Sequence, residues 1–524
     1  MPDAVVIGAG PNGLVAANRL ADAGWSVVVV EAADEPGGAV KSSELIERGF
    51  VNDHFSGFYP LAAASPAIRS LELERWGLRF RHGPLALAHP SSDGTCAVLS
   101  RDLDETAASL DSFAPGDGDA WRRLMDLWRR IGDPLLRGMV TPMPPVRTVA
   151  ELTARLGPRG LVRLARLGLL PIRRFADEHF RGAGGARLLA GNALHADFTP
   201  ESTLGGFFGF FLCALGQTVG YPFPEGGAGS LSRALVRRAE ARGVVLATGA
   251  RATRVLVRRG AAAGVRLADG TEISARRAIL AAIDGPTLYR ELVPREHVPR
   301  AVLDDIRRFE RDWGTVKIDW TLEGPVPWAH AEARRAPVVH VADSVDALAV
   351  HTGELRRGLV PTRPFLVFGQ YSMGDPTRSP AGKETAWAYT HVPLGAAIDE
   401  ESFVRRMEDE VERLAPGFRT LVRGRHVFTP RELEAANPSL VGGAINGGTA
   451  QLHQQFVFRP TPGLARPETP VARLYLASSS AHPGGGVHGG PGAIAARAAV
   501  TAWRARRAAL AVGALAVAAG ARRR

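Results

Sequence analysis

Lysine is scarce in this sequence: of 64 Lys and Arg residues, only Lys41, Lys317 and Lys383 are lysine. Lys317 lies in Gly314-Thr315-Val316-Lys317-Ile318-Asp319, where strand alternation puts it on one face with Asp319, away from Val316 and Ile318. Two readings stay open: an ion pair on a solvated sheet face, or an amine serving a reacting centre. His482 and His488 bracket Pro483-Gly484-Gly485-Gly486-Val487. Glycine at that density lets backbone meet a flat ligand at close range. An imidazole beside such a ligand can polarise a substrate carbonyl or stabilise charge on the ligand. The opposing reading makes His482 a turn residue fixed before Pro483. Tyr389 and His391 share a face of the run 386–392 and either line a cavity or pack in a sheet, and His54 reads as a loop residue.

A second set of residues binds rather than reacts. Asp3-Ala4-Val5-Val6-Ile7 reads as a buried strand. Gly8-Ala9-Gly10-Pro11-Asn12-Gly13 follows and opens an amphipathic helix that stops at Gly24. Val27-Val28-Val29-Val30 is a second strand, closed by Glu31. In this order Gly8 allows a tight turn, Gly10 lets backbone approach a pyrophosphate, and Gly13 lets helix and strand pack closely. Glu31 sits where a carboxylate accepts hydrogen bonds from an adenosine ribose, and its charge disfavours a 2′-phosphate. Past the acid come Gly37, Gly38, Ala39 and Val40. A glycine pair at this place resembles the extension found in the large FAD oxidoreductase superfamily that includes amine oxidases and phytoene desaturases. The resemblance implies FAD.

The elements that must position these residues point to two interleaved domains, since 524 residues exceed one core. Residues 1–61, 220–300 and 440–507 read as three parts of an FAD-binding domain. Residues 62–219 read as the mostly helical first part of a substrate domain, and 301–439 as its sheet-rich second part. Helices are expected over 104–113, 118–131 and, broken at Gly157-Pro158, 147–170. A hairpin is expected between Leu78 and Leu99. The apolar stretch Gly205–Leu215 is too short to span a bilayer and reads as core or tunnel lining. Strands are expected at 252–257, 264–267, 278–282, 315–321, 365–370, 386–392 and 474–477, with a last helix from Ala493 to about Arg507.

Composition excludes several functions. The net charge of +11 is carried by scattered arginines, with no basic run interleaved with aromatics, so nucleic acid is not expected. The two cysteines, Cys96 and Cys213, form no C-x-x-C, which excludes a dithiol flavoenzyme and cysteine-based zinc or iron–sulfur sites; no metal is expected. The strand beginning at residue 3 leaves no room for a leader, so a cytoplasmic protein is expected. The tail 508–524, apolar and then arginine-rich, reads either as a frayed helix or as an anchor on a membrane surface. Nothing in the sequence bears on oligomeric state.

Taken from both ends, the chain resembles the phytoene-desaturase-like FAD oxidoreductases. Within them it is similar to the branch called pyridine nucleotide-disulfide oxidoreductase domain-containing protein 2. The run His482–Val487 is the most specific signature, and weaker likeness at 315–319, 375–392 and 442–462 extends over most of the chain. The resemblance implies an α/β fold of the glutathione-reductase/amine-oxidase type, a Rossmann-like FAD-binding domain interleaved with a mixed-sheet and helical substrate domain. It places FAD on Gly8, Gly10, Pro11, Asn12, Gly13, Glu31, Gly37, Gly38, Ala39, Val40, Ala252, Ser479 and the backbone of Val487, His488, Gly489 and Gly490. It likens Lys317 to a lysine that holds a water at flavin N5. The activity it implies is oxidation or desaturation of a small hydrophobic substrate, with reoxidation by oxygen or a quinone. The alternatives are a flavin amine oxidase, which needs an aromatic pair facing the flavin, an NAD(P)H-fed reductase, which needs a second dinucleotide site, and a non-catalytic FAD-stabilised interaction protein.

Overall fold

Every side chain of the strand Ala4–Ile7 is buried, the pattern of a parallel strand covered on both faces. In the computed structural model, which describes residues 1–521 and side chains as far as residue 511, this strand is the centre of a five-stranded parallel sheet. The order is Leu474–Leu476, Ala278–Ala281, Ala4–Ile7, Val27–Val30, Val245–Ala247. Strands from three distant parts of the chain thus build one Rossmann-like unit, as the motif order at both ends implies. Helix Pro11–Asp22 packs on it with Gly229–Ala241 and the start of Gly490–Ala521 through Leu14, Leu20, Leu235 and Ala495. The antiparallel strands Ala252–Arg258, Ala261–Leu267 and Glu272–Ser274 cover the other face, where Val255 and Val265 share a core with Val5 and Ile279.

The second unit is a seven-stranded mixed sheet. Its order is Val422–Phe428, Gly314–Leu322, Glu384–Val392, Leu366–Gln370, Val338–Val341, Leu87–Pro90, Cys96–Leu99. The hairpin expected before Leu99 therefore forms the edge of a sheet otherwise supplied by residues 314–428. One face packs against Trp320, Trp328, Phe368, Met407 and Phe418. The other carries the helical block, which includes Asp117–Met139, Val146–Leu169, Ala183–Ala193 and Gly205–Thr218. Gly157, at φ +70, breaks the second of these helices where Gly157-Pro158 predicts a break. With both faces covered, Gly314–Leu322 is buried at every position. Of the two readings left open at Lys317, the solvated face is thereby excluded, although its pair with Asp319 forms: alternation reports which residues share a face, not what lies against it.

The last helix runs further than the expected Arg507, from Gly490 through Ala521. An alanine-rich stretch without proline propagates helix readily. Of the tail 508–524, Arg522–Arg524 and the side chains from residue 512 onward lie outside the described residues. Among the described residues no helix is long and apolar enough to cross a membrane.

Candidate active site

A cavity of about 430 Å³ opens at the carboxyl ends of the parallel strands and extends between the helical block and the seven-stranded sheet. Ligands of open α/β sheets bind at that end of the strands. Its nucleotide end is lined by Gly8, Gly10, Pro11, Asn12 and Glu31, then by Gly38, Ala39, Ala252, Ser479 and Val487. These candidates from four separate stretches of sequence meet at one surface.

The other candidates stand behind that surface and shape it. A Cβ on Gly13 would lie 1.9 Å from the Gly8 carbonyl oxygen, so only glycine lets this helix start against the strand. Gly37 donates its N–H to the Ala9 carbonyl at 2.9 Å, and Val40 donates to Gly37 at 2.9 Å. A Cβ on Gly38 would stand 2.9 Å from the Cα of Gly10, so the two glycine turns form one bare-backbone cradle. Gly489 packs on Val15, and Gly490 starts the last helix.

The Glu31 carboxylate accepts N–H bonds from Ala9 at 2.6 Å and Ala33 at 3.0 Å, which fixes its direction. Along the cavity wall, Asn12 Oδ1, Thr315 Oγ1 and Asn446 Nδ2 are buried without a protein partner. A helix N-terminus, a backbone cradle, an oriented acid and unpartnered polar atoms are the donor and acceptor set a dinucleotide requires. The residues fit FAD.

Lys317 lines the cavity beyond the cradle. Its Nζ donates to the backbone carbonyl of Asp53 at 2.8 Å and is paired with Asp319. Burial pulls the amine down from its ordinary value and pushes the Asp319 carboxyl up to about 6. Asp53, wholly buried, takes both nitrogens of the Arg378 fork at 3.1 and 3.0 Å, the Tyr371 hydroxyl at 2.6 Å and the Ala228 N–H at 2.7 Å. Trp387 Nε1 donates to the same tyrosine oxygen at 2.6 Å. A buried polar array thus ties the floor of the cavity to the nucleotide unit.

The histidine candidates are placed elsewhere. Neither His482 nor His488 is among the side chains lining the cavity. His488 Nδ1 accepts the Gly490 N–H at 3.0 Å, so Nε2 carries the proton and donates to the Gly485 carbonyl at 3.1 Å. Its ring therefore holds the glycine turn closed. His482 lies beside the backbone of Gly138 and Thr141, and burial pulls both imidazoles down to about 4. The structure brings Lys317 to the cavity and leaves these two behind its wall.

Several residues of the site escaped the sequence reading. Arg459, fully buried, donates to the carbonyls of Asn446, Gly447, Thr449 and Ser479, and so binds the loop 446–449 to the turn at Ser479. Trp387 escaped as well, and it lines the cavity with Tyr389, for which lining was one of the two readings, as a near-parallel pair, 6.1 Å between centroids and 15° between planes. Two-residue alternation along 384–392 was the available signal for Trp387. His391, on the same face, instead bonds the Leu194 carbonyl through Nε2 at 3.0 Å. Gly205–Thr218 is both core and lining: most of it is buried, while Phe208 and Leu212 face the cavity. His195 lines the same end, and nothing in its local sequence marked it.

A sequence family described as flavin containing amine oxidoreductase matches residues 12–499. The chain is 29% identical to the rat pyridine nucleotide-disulfide oxidoreductase domain-containing protein 2, over 94% of this chain and 92% of the relative. It is 26% identical to a lycopene-forming phytoene desaturase of Pseudescherichia vulneris, over 94% and 97% of the two chains. Among solved structures, a putrescine oxidase variant superposes with a TM-score of 0.63 at 17% identity, covering 96% of this chain and 99% of the other. At that identity the likeness shows the fold.

Proposed function

The chain belongs to the flavin containing amine oxidoreductase family, and from that premise we propose that this FAD-dependent oxidoreductase oxidises or desaturates a small hydrophobic molecule held beyond the glycine cradle. Bound FAD would supply the two-electron acceptor for this oxidation, with oxygen or a quinone as the reoxidant we propose. The observation that carries the substrate class is the chamber itself. Past Lys317 it is walled by Phe58, Phe208, Leu212, Val367 and Trp387. Such a wall excludes water and holds an apolar body by contact. The phytoene desaturase relative supports the same class.

The chain's own groups orient and hold. Glu31 and the turns at Gly10 and Gly38 fix the nucleotide end. Lys317 has three N–H donors, of which the Asp53 carbonyl and Asp319 take two, leaving one for a group in the cavity. Its buried pairing with Asp319 also keeps an exchangeable proton at the wall, since burial disfavours the charged form of either partner. A second reading, amine oxidation, is favoured by one observation: the Trp387–Tyr389 pair is the kind of aromatic wall such an oxidase needs.

The visible spectrum of the purified protein, taken anaerobically before and after NADH or NADPH, tests the proposal. Oxidised-flavin bands at about 370 and 450 nm are expected, and they should persist with either nicotinamide. Rapid bleaching would establish the reductase alternative. No bands even after FAD is supplied would overturn the flavoenzyme reading.

A further inference from the structure

The far end of the chamber is not a pure hydrocarbon pocket. His195 and Tyr389 both line it, with rings 6.5 Å apart and 87° between planes. The Nε2 of His195 meets the Nε2 of His340 at 2.8 Å, so one of the two rings donates across that contact. His340 is wholly buried, and its Nδ1 has no partner. His195 is held from its other side as well, because His391 bonds the carbonyl of the preceding residue, Leu194. The dyad thus spends Nε2 internally. His195 Nδ1 makes no protein hydrogen bond and is not among the sealed polar atoms, and the same holds for the Tyr389 hydroxyl. The nearby Tyr221 hydroxyl, by contrast, is consumed by Asn192. Two polar groups are therefore offered to a part of the chamber whose neighbouring wall includes Phe208, Leu212, Val367 and Trp387.

Resting on the oxidoreductase reading above, we infer that the substrate is an apolar body carrying one hydrogen-bonding head, a hydroxyl, carbonyl or amine, seated between His195 and Tyr389. A buried polar group left without a partner in the complex costs binding, whereas one that meets a complementary head gains it. A substrate made only of hydrocarbon would leave both groups unmet. The two tautomers of the dyad let His195 present Nδ1 to the head as a donor or as an acceptor. Burial pulls His195 down to about 3, so it recognises the head as a neutral imidazole rather than as a charge.

The test uses the FAD-loaded full chain and a matched pair of probes, cyclohexylmethanol and methylcyclohexane, with binding read from perturbation of the flavin absorption. The wild type is expected to prefer the alcohol by tenfold or more. Tyr389→Phe, which keeps the ring, and His195→Leu should each remove most of that preference while methylcyclohexane binding stays unchanged; His195→Gln should restore part of it. Equal binding of the two probes, failure of the alcohol to bind, or a preference that survives when Tyr389→Phe and His195→Leu are combined overturns the inference. A chain that holds no flavin fails the earlier reading instead, and its spectrum shows that before any probe is added.

Discussion

Lys317 and Asp319 illustrate how little a residue pair reveals before its surroundings are known. Placed on an exposed sheet such a pair contributes almost nothing. Here both side chains are buried, 2% and 0% exposed, so removing one leaves the other charge uncompensated. Lys317→Met is expected to cost about 3–5 kcal/mol of stability, read from the denaturant midpoint. Lys317→Met with Asp319→Leu should recover most of that loss. A double variant as unstable as the single one would mean the pair's worth lies in packing. Glu31 is a simpler case. Its carboxylate, held beside the glycine turn by the Ala9 and Ala33 N–H groups, would accept from the ribose hydroxyls of bound FAD, and bonds to a charged acceptor are worth about 1.5–3 kcal/mol. Glu31→Gln should therefore weaken FAD binding by about tenfold to a hundredfold, measured by flavin release on dilution.

At the scale of elements, close approach of helices decides where glycine is obligatory. A Cβ on Gly492 would lie 1.9 Å from the Asn12 carbonyl oxygen, as one on Gly13 would from Gly8. Both positions join the first and last helices to the nucleotide motif. Gly13→Ala and Gly492→Ala should each lower stability by about 1–3 kcal/mol and reduce the flavin retained on purification. Gly353 offers the control. It lies in the helix Val345–Arg356, exposed, with nothing within 4 Å of an added Cβ. Gly353→Ala should raise stability by about 0.5–1 kcal/mol. Thermal melts of the three variants separate the two effects.

Across the whole molecule burial keeps many titratable rings neutral, and this sets its response to acid. His89, His195, His351, His391, His482 and His488 are pulled to about 3 or 4, in each case chiefly by desolvation. Between their ordinary value near 6.5 and those values, the unfolded chain takes protons that the folded chain refuses. Stability present above about pH 6.5 is therefore lost as pH falls towards 4, by about 1.4 kcal/mol per unit for each histidine. Asp312 and Asp319, pushed up to about 6 by burial, act in the opposite sense over part of that range. The histidines outnumber them, so the midpoint of unfolding should fall steadily between about pH 6.5 and 4. A flat profile would show that these rings are not buried as described. Asp53 joins the units: it binds Arg378, Tyr371 and Ala228 while its carbonyl takes Lys317.

By itself the sequence determined what depends on local spacing. The order strand, glycine turn, helix, strand and acid at residues 3–31, and the second glycine pair at Gly37-Gly38, identify the nucleotide end, because each of those jobs is done within one short stretch. The covering strands 252–267 and the break at Gly157 were legible for the same reason, through turn chemistry and alternation. The tertiary structure alone decided the far end of the cavity and what braces it. His195, Asp53, Arg378, Trp387 and Arg459 come from stretches far apart in the chain, and each looks ordinary among its neighbours in sequence. Long-range burial gives them their roles, by removing water from charges and leaving some polar atoms unpaired. It also turned Lys317 towards the cavity and His482 and His488 away from it. Spacing along a chain can place a residue on a face, but only packing determines what that face meets.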